Sequence, residues 1–158
     1  MNTFDYTSGL PMKRMAAGAL FLNSDQQILI VQPTYREAWL VAGGVVEAHE
    51  SPRAACHREL REQLGLEVAL GPLLCVEYRS SAPPKTECLQ FIFAGGALSS
   101  DQIRQITLPA NELAAYCFVS LNEAMCKLDA RLGRRMQLAL RAFHEAQTIY
   151  AEDGVEIG

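Results

Sequence analysis

Two glutamates lie one helical turn apart near the middle of the chain, where their carboxylates could bind the same cation. Glu59, Glu62 and Gln63 are spaced i, i+3 and i+4, so on an α-helix they share one face. Neighbouring carboxylates repel each other and raise each other's pKa unless a cation lies between them. Clustered oxygen ligands suit hard divalent cations. The spacing therefore predicts a Mg²⁺ or Mn²⁺ site on this helical face.

Paired glycines precede this face by about fifteen residues. Gly43 and Gly44 have no Cβ, so another group can approach their backbone closely. A backbone carbonyl from this loop could complete the metal shell. A glutamate pair beside arginines is, however, more often a solvated, salt-bridged surface. The glutamates alone therefore do not decide between a metal site and an ordinary helix face.

The joint pattern over residues 44–66 does distinguish them. It resembles the Nudix box, G-x5-E-x7-R-E-U-x-E-E-x-G-U, in which U is a bulky aliphatic residue. The matching residues are Gly44, Glu50, Arg58, Glu59, Leu60, Glu62, Gly65 and Leu66. One defined position departs, because Gln63 stands where the family has a second consecutive Glu. The resemblance is sharpest over residues 39–66 and extends by element order to about 14–145.

The resemblance implies a role for each matching residue. Glu59 corresponds to a metal ligand or general base, Glu62 to a metal ligand, and Gly43 to a carbonyl ligand. Arg58 corresponds to the arginine that orients the carboxylates, with Glu50 as its partner. The implied reaction is the Mg²⁺- or Mn²⁺-dependent hydrolysis of a nucleoside diphosphate linked to another group. Metal-bound phosphate oxygens and an activated water would then make a covalent nucleophile unnecessary.

Gln63 leaves the strength of this site open. Its amide oxygen can coordinate a cation but brings no negative charge. The site could be weaker, could prefer Mn²⁺, or could belong to a nucleotide-binding sensor that cleaves nothing. Family members often supply a further Glu from the segment before a later strand, and Glu112 is the best-placed candidate, with Asp101 behind it.

Substrate contacts are expected from loops around the glycines. Tyr35 and Arg36 flank the predicted mouth of the site, where an aromatic ring and a guanidinium could stack on a base. Gly44 and Arg79 are further candidates for substrate contact. Pro83-Pro84 weakly favours ADP-ribose or another nucleotide sugar, because ADP-ribose-cleaving relatives have a proline at a similar offset. The substrate is a small-molecule nucleotide derivative, but its identity stays open.

The elements that position these residues can be read from local signals. Ser51 is a good N-cap, Pro52 suits the first helical position, and Gly65 suits the left-handed position after the last turn. We predict a helix over 52–64 and strands over 16–22, 28–31, 39–41, 68–79, 87–97 and 113–119. A short helix is predicted over 121–128 and a long one over 130–150, which has apolar residues at helical spacing.

Mixed strands with a central and a C-terminal helix predict an α/β (α+β) fold. The resemblance implies an α/β/α sandwich with a mixed sheet and a loop–helix–loop site. We expect an N-terminal arm over 1–13, one domain over 14–150 and a C-terminal tail over 151–158.

Composition restricts the functional classes. The chain has 158 residues, a net charge of −4 and no basic run, which disfavours a nucleic-acid scaffold. Its apolar runs are too short to span a membrane, and residues 1–13 show no signal-peptide core. Five scattered cysteines without C-x-x-C spacing predict reduced thiols in a cytoplasmic protein. Relatives are often dimers, but the sequence specifies no interface.

Overall fold

Continuous apolar runs form the first two strands of the computed structural model, which describes residues 7–158. These strands are β1 (Arg14–Leu22) and β2 (Ile28–Pro33), joined as an antiparallel hairpin. Successive residues of a strand point to opposite faces. Ile28 and Ile30 enter one hydrophobic cluster, whereas Leu29 and Val31 enter another. Both faces of the sheet are therefore covered, which is why these strands read as unbroken apolar runs.

The remaining elements complete a mixed eight-stranded sheet with helices on both faces. Its order is β6-β2-β1-β5-β4-β7-β8, with β3 paired to β1, and β1 runs parallel to β5 as β4 does to β7. The elements after β2 are β3 (Gly43–Val45), α1 (Pro52–Leu64), β4 (Leu73–Arg79), β5 (Cys88–Ala97), α2 (Ser100–Arg104), β6 (Leu113–Val119), α3 (Leu121–Lys127), α4 (Ala130–Glu145), β7 (Ile149–Glu152) and β8 (Val155–Glu156).

The two helical layers fill separate cores. On one face, Cys56, Leu60 and Leu64 of α1 pack in the cluster that includes Phe21. On the other face, Met136 and other apolar residues of α3 and α4 pack against the sheet. The predicted α/β fold with a mixed sheet is confirmed, and it places α1 across the sheet from α4.

The predicted helix over 52–64 is α1, and its local signals act as expected. The Ser51 Oγ accepts a hydrogen bond from the Ala54 N–H at 3.1 Å. Pro52 occupies the first turn, and Gly65 adopts a left-handed conformation with φ of 67°. The Gly65 N–H donates to the Arg61 carbonyl at 3.0 Å. These contacts set both ends of the helix that carries Glu59 and Glu62.

Two strand predictions differ from the structure. The strand expected over 39–41 is replaced by isolated bridges from Trp39 and Leu40, and the glycines themselves form β3 against β1. The strand expected from Val68 begins only at Leu73, directly after Pro72, which has no N–H for a strand ladder. The polar connection 99–112 also contains the short helix α2, capped by Ser99 and Gln102.

The last helix is shorter than predicted. It ends at Glu145, and Ala146 follows in a left-handed conformation with φ of 51°. Ile149 and Ala151 are buried while Tyr150 and Glu152 are exposed, an alternation of period two that forms β7 rather than more helix. The expected tail over 151–158 thus contains the end of β7 and all of β8. The domain boundaries stay a prediction, and residues 1–6 of the expected arm lie outside the described residues.

None of the helices found in residues 7–158 combines the length and apolarity needed to cross a membrane.

Thiol reactivity gives a test of this packing. Burial raises the pKa of the Cys56 thiol to about 12 and that of Cys75 to about 11, so their thiolate fractions at pH 8 are on the order of 10⁻⁴ and 10⁻³. Cys126 is exposed. We expect iodoacetamide at pH 8 to label Cys126 first, with Cys56 and Cys75 labelled only after urea unfolding, as followed by peptide mass spectrometry. Equal labelling of these three residues in the native protein would contradict the packing.

Candidate active site at the glycine loop and helix α1

A tight turn before α1 directs Glu50 toward the helix. The Glu50 N–H donates to the Glu47 carbonyl at 3.3 Å, and the Glu47 N–H donates to Glu50 Oε2 at 3.0 Å. His49, between them, has a φ of 61°. These contacts place the Glu50 carboxylate beside the first turns of α1.

Arg58 connects this turn to the helical glutamates. Its Nε and Nη2 donate to Glu50 Oε1 and Oε2 at 2.8 and 3.0 Å, a two-point contact between planar groups. Its Nη2 also donates to the Val45 carbonyl at 3.0 Å, and its Nη1 donates to Glu59 Oε1 at 2.9 Å. The contact with Glu62 is longer, at 3.5 Å. Arg58 therefore holds the carboxylates of Glu50 and Glu59 at fixed positions, and Glu62 more loosely.

The two carboxylates held by Arg58 have opposite pKa shifts. Hydrogen bonding from Arg58, assisted by the Glu47 N–H, lowers the pKa of Glu50 to about 2. Burial raises the pKa of Glu59; the hydrogen bond and charge of Arg58 oppose this shift, and the charge of Glu62 adds to it. Arg58 therefore stabilises the ionised form of Glu50 strongly, whereas burial keeps the pKa of Glu59 above its usual value despite its contact with Arg58.

Glu112 also reaches this site from a distant part of the chain. Its charge contributes to the raised pKa of Glu59, although the two residues are far apart in sequence. Its backbone closes a turn with Pro109 and accepts a hydrogen bond from the Thr34 N–H at 2.9 Å. The charges of Glu62 and Glu112 both act on Glu59, and these three glutamates are called the acidic region below. Asp101 instead pairs with Arg104.

The glycines are required by the close approach of α1 and β1. A Cβ on Gly44 would overlap the Glu59 carboxylate, and one on Gly43, whose φ is 150°, would overlap the backbone of Ala17. Gln63 lies against the same loop: its Oε1 accepts from the Gly43 N–H at 3.0 Å, and its Nε2 donates to the Gly43 carbonyl at 2.9 Å. In this arrangement, the oxygens of Gly43 and Gln63 each accept a hydrogen bond, and their role as metal ligands stays a prediction.

The donor chemistry at the acidic region fits a hard divalent cation. Glu59, Glu62 and Glu112 supply carboxylate oxygens, the type of ligand that Mg²⁺ and Mn²⁺ prefer. Burial is the main cause of the raised pKa of Glu59, and the negative charges of Glu62 and Glu112 add to it. A bound cation would relieve that repulsion. Within residues 7–158, no three acidic, histidine or cysteine side chains converge closely enough to form a complete ligand set. The fit therefore lies in the type and charge of the donors.

A cavity of about 250 Å³ lies beside the glycines. It is lined by all four residues predicted to contact substrate: Tyr35, Arg36, Gly44 and Arg79. Gln90 of β5 and Ile92 complete part of the wall. A small molecule bound here would lie next to the loop that contacts Glu59.

The charged lining of this cavity is mainly positive. Its lining contains three arginines, Arg36, Arg79 and Arg135, and one carboxylate, that of Asp129. Arg36 pairs with Asp129 at 3.4 Å. Burial raises the pKa of Asp129. The hydrogen bond from the Leu132 N–H and the charges of Arg36 and Arg79 lower it by more, so the net shift of this pKa is downward. The cavity therefore suits an anionic ligand.

A second, basic cleft of about 500 Å³ shares Arg79 with this cavity. Its other cationic lining residues are Arg14, Lys85 and Arg131, and no carboxylate from residues 7–158 lines it. Asp153 lies nearby, where hydrogen bonds from Ser80 and the charges of Arg131 and Arg79 lower its pKa. The positive lining continues beyond the first cavity.

The sequence did not single out the buried ion pair behind the cavity. Glu77 of β4 pairs with Arg135 of α4, and both side chains are almost fully buried. A carboxylate at an inward position of an apolar strand was a usable signal, because a buried charge requires a partner. Asp129 could also have been recognised from the sequence, because Asp is a favoured N-cap residue. It caps α4 by accepting a hydrogen bond from the Leu132 N–H at 2.9 Å.

Residues 12–142 match the family described as NUDIX domain. Over 72 residues the chain is 39% identical to the CTP pyrophosphohydrolase of Escherichia coli (strain K12), covering 43% of this chain and 53% of that protein. The chain thus spans about half the length of this curated relative.

Solved structures share the fold over more of the chain. The solution structure of the Escherichia coli ORF135 protein is 30% identical, with a TM-score of 0.64, covering 86% of this chain and 96% of that one. The crystal structure of a UDP-X diphosphatase has a TM-score of 0.74 at 19% identity, covering 93% and 70%.

Proposed function

The chain belongs to the NUDIX domain family, and from that premise we propose that it is a Mg²⁺- or Mn²⁺-dependent pyrophosphohydrolase cleaving a diphosphate linkage in a nucleoside diphosphate derivative. The observation that carries this proposal is the contact of Arg58 with both Glu50 and Glu59. This contact holds the Glu59 carboxylate, whose pKa burial raises, against the glycine loop that lines the cavity. Similarity to the CTP pyrophosphohydrolase of Escherichia coli supports the reaction class.

Each site residue then has a defined task. Glu50 holds Arg58, and Arg58 orients Glu59. Glu59 takes the proton of the attacking water, and Glu59, Glu62 and Glu112 would hold the cation. When bound, the cation supplies positive charge that neutralises phosphate oxygens and the leaving oxygen.

The cavity provides the substrate contacts of the proposal. Arg36 and Arg79 face the diphosphate or its attached group, and Tyr35 offers an exposed ring for stacking. The basic cleft beyond Arg79 favours a substrate whose second part is also anionic. Nucleoside triphosphates, nucleotide sugars and ADP-ribose all remain within this class. Buried, unpaired thiols fit a cytoplasmic location.

The neutral side chain of Gln63 favours a second candidate, a nucleotide-binding sensor built on the same fold. An amide contributes no charge to a metal site, so binding could persist without turnover. Under this alternative, the cavity would still bind nucleotides and Glu59 would have no catalytic task.

A hydrolysis screen separates the two candidates. Purified protein is incubated with Mg²⁺, Mn²⁺ or EDTA and a panel of dNTPs, oxidised purine nucleotides, ADP-ribose, nucleotide sugars, dinucleoside polyphosphates and coenzyme A, and products are resolved by anion-exchange chromatography. We expect release of a nucleoside monophosphate, phosphate or pyrophosphate from at least one compound, abolished by EDTA. Thermal stabilisation by nucleotides without turnover of any compound would instead support the sensor.

A further inference from the structure

Gln63 forms three hydrogen bonds, and two of them join helix α1 to strand β3. Its side chain is 7% exposed. The Gly43 N–H donates to Gln63 Oε1 at 3.0 Å, while Gln63 Nε2 donates to the Gly43 carbonyl at 2.9 Å and to Glu59 Oε2 at 3.1 Å. One amide nitrogen therefore lies between a carbonyl oxygen and a carboxylate oxygen.

The backbone dictates which end of the amide faces these oxygens. A glutamine amide has one acceptor oxygen and a nitrogen that donates twice. Rotating it by half a turn would direct the NH₂ group at the Gly43 N–H and would direct Oε1 at the Gly43 carbonyl and Glu59. The Gly43 N–H thus requires the observed orientation, in which both N–H bonds of Gln63 are used.

Oxygens that converge in this way are bound either by N–H donors or by a hard cation. Here the NH₂ group fills that place, and it is neutral, buried and covalently attached to α1. A Glu at position 63 would direct a third oxygen at the Gly43 carbonyl and Glu59. Those oxygens would repel one another unless a proton or a cation came between them.

We propose that the Gln63 amide replaces a cation as the bridge between Gly43 and Glu59, so that Gln63 is a positioning residue that assembles this part of the site without metal. The consequence for metal content rests on the proposed function: the catalytic cation is then confined to the carboxylates of Glu59, Glu62 and Glu112. The chain accordingly binds fewer cations than it would with Glu at position 63.

The test compares the wild-type protein with Gln63→Glu and with Gln137→Glu, which makes the same charge change at an exposed position of α4. Melting temperature is measured by calorimetry in EDTA and during Mn²⁺ titration. Mn²⁺ stoichiometry is measured by electron paramagnetic resonance of the free ion. In EDTA we expect Gln63→Glu to melt about 5–10 °C below wild type, because hydrogen bonds are lost and carboxylates repel.

With saturating Mn²⁺ we expect Gln63→Glu to recover most of this loss and to bind about one additional Mn²⁺ per chain, since three oxygens now favour a cation. Wild type and Gln137→Glu should bind the same number of Mn²⁺ ions per chain. Their melting temperatures should rise equally with Mn²⁺, and by less than that of Gln63→Glu. The proposal would be overturned if Gln63→Glu bound as many Mn²⁺ ions per chain as wild type and if Mn²⁺ raised the melting temperatures of both proteins equally.

A second measurement covers the case in which Gln63→Glu does not fold. In ¹⁵N-labelled wild-type protein, the Gln63 side-chain NH₂ protons should be protected from solvent exchange in EDTA and should stay protected when Mg²⁺ is added. Rapid exchange in EDTA, or displacement of the amide by Mg²⁺, would show that no metal-free bridge exists.

The outcomes also separate this proposal from the proposed function. An additional Mn²⁺ in Gln63→Glu, with no turnover of any compound by wild type, would retain the bridge and reject the hydrolase. Metal-dependent turnover by wild type, with equal Mn²⁺ content in both proteins, would retain the hydrolase and reject the bridge.

Discussion

Replacing Glu59 with Gln is expected to lower kcat by about 100-fold or more while leaving the fold intact. The proposed reaction requires a carboxylate here to accept the proton of water and to hold the cation, and an amide does neither well. Stability should change little. Burial raises the pKa of Glu59, so the ionised form costs stability at neutral pH, and its removal offsets the loss of one hydrogen bond from Arg58 or Gln63.

The measurement is kcat on whichever compound the screen identifies, together with the melting temperature of each variant. Glu67→Gln is the matched control, because Glu67 is exposed beyond the end of α1 and, among the residues that the structure describes, forms an ion pair only with Arg61, at 3.3 Å. We expect wild-type turnover from the control and a melting temperature within about 3 °C of wild type for Glu59→Gln. Equal turnover by wild type and Glu59→Gln would show that the role assigned to this carboxylate is wrong.

The buried ion pair behind the cavity should have the largest effect on stability. Glu77 is 0% exposed and contacts Arg135 Nε through Oε2. Within the described residues, Glu77 Oε1 and Arg135 Nη2 have no hydrogen-bond partner. Arg135→Met would leave a buried carboxylate without its cation, and we expect it to lower the free energy of unfolding by about 3–5 kcal/mol.

Urea unfolding of four proteins tests this expectation. The double variant Glu77→Leu/Arg135→Met should regain most of the lost stability, because apolar side chains of similar volume replace both charges. Arg134→Met is the control, since Arg134 is the exposed neighbour on α4, and it should change the free energy of unfolding by less than about 0.5 kcal/mol. A double variant no more stable than Arg135→Met would mean that packing around Arg135, not its charge, supports the fold.

The site could be predicted from sequence where its parts are local. Ser51, Pro52 and Gly65 act within a few residues of themselves, so they defined the bounds of α1. Helical spacing then placed Glu59 and Glu62 on one face. The four residues expected to contact substrate do line one cavity, although their roles there remain proposals.

The predicted bounds of helices and strands were wrong where contacts between distant segments overrode the local sequence pattern. The apolar spacing of α4 continued past its end, and only the left-handed Ala146 and the pairing of β7 with β4 stopped it. The glycines were expected to end a strand but instead form β3, because β1 accepts their backbone where a side chain would not fit.

Residue types and spacing were enough to define the chemistry that helix α1 offers: an N-capped helix with two carboxylates on one face, an arginine beside them and paired glycines before them. What those groups contact was set by the packing of distant segments. The packing of α1 on β3 turned Gln63 toward Gly43 and Glu59, and the turn before β6 brought the charge of Glu112 to Glu59. Hydrogen bonds and charge interactions depend on distance in space, and separation along the chain does not reveal that distance.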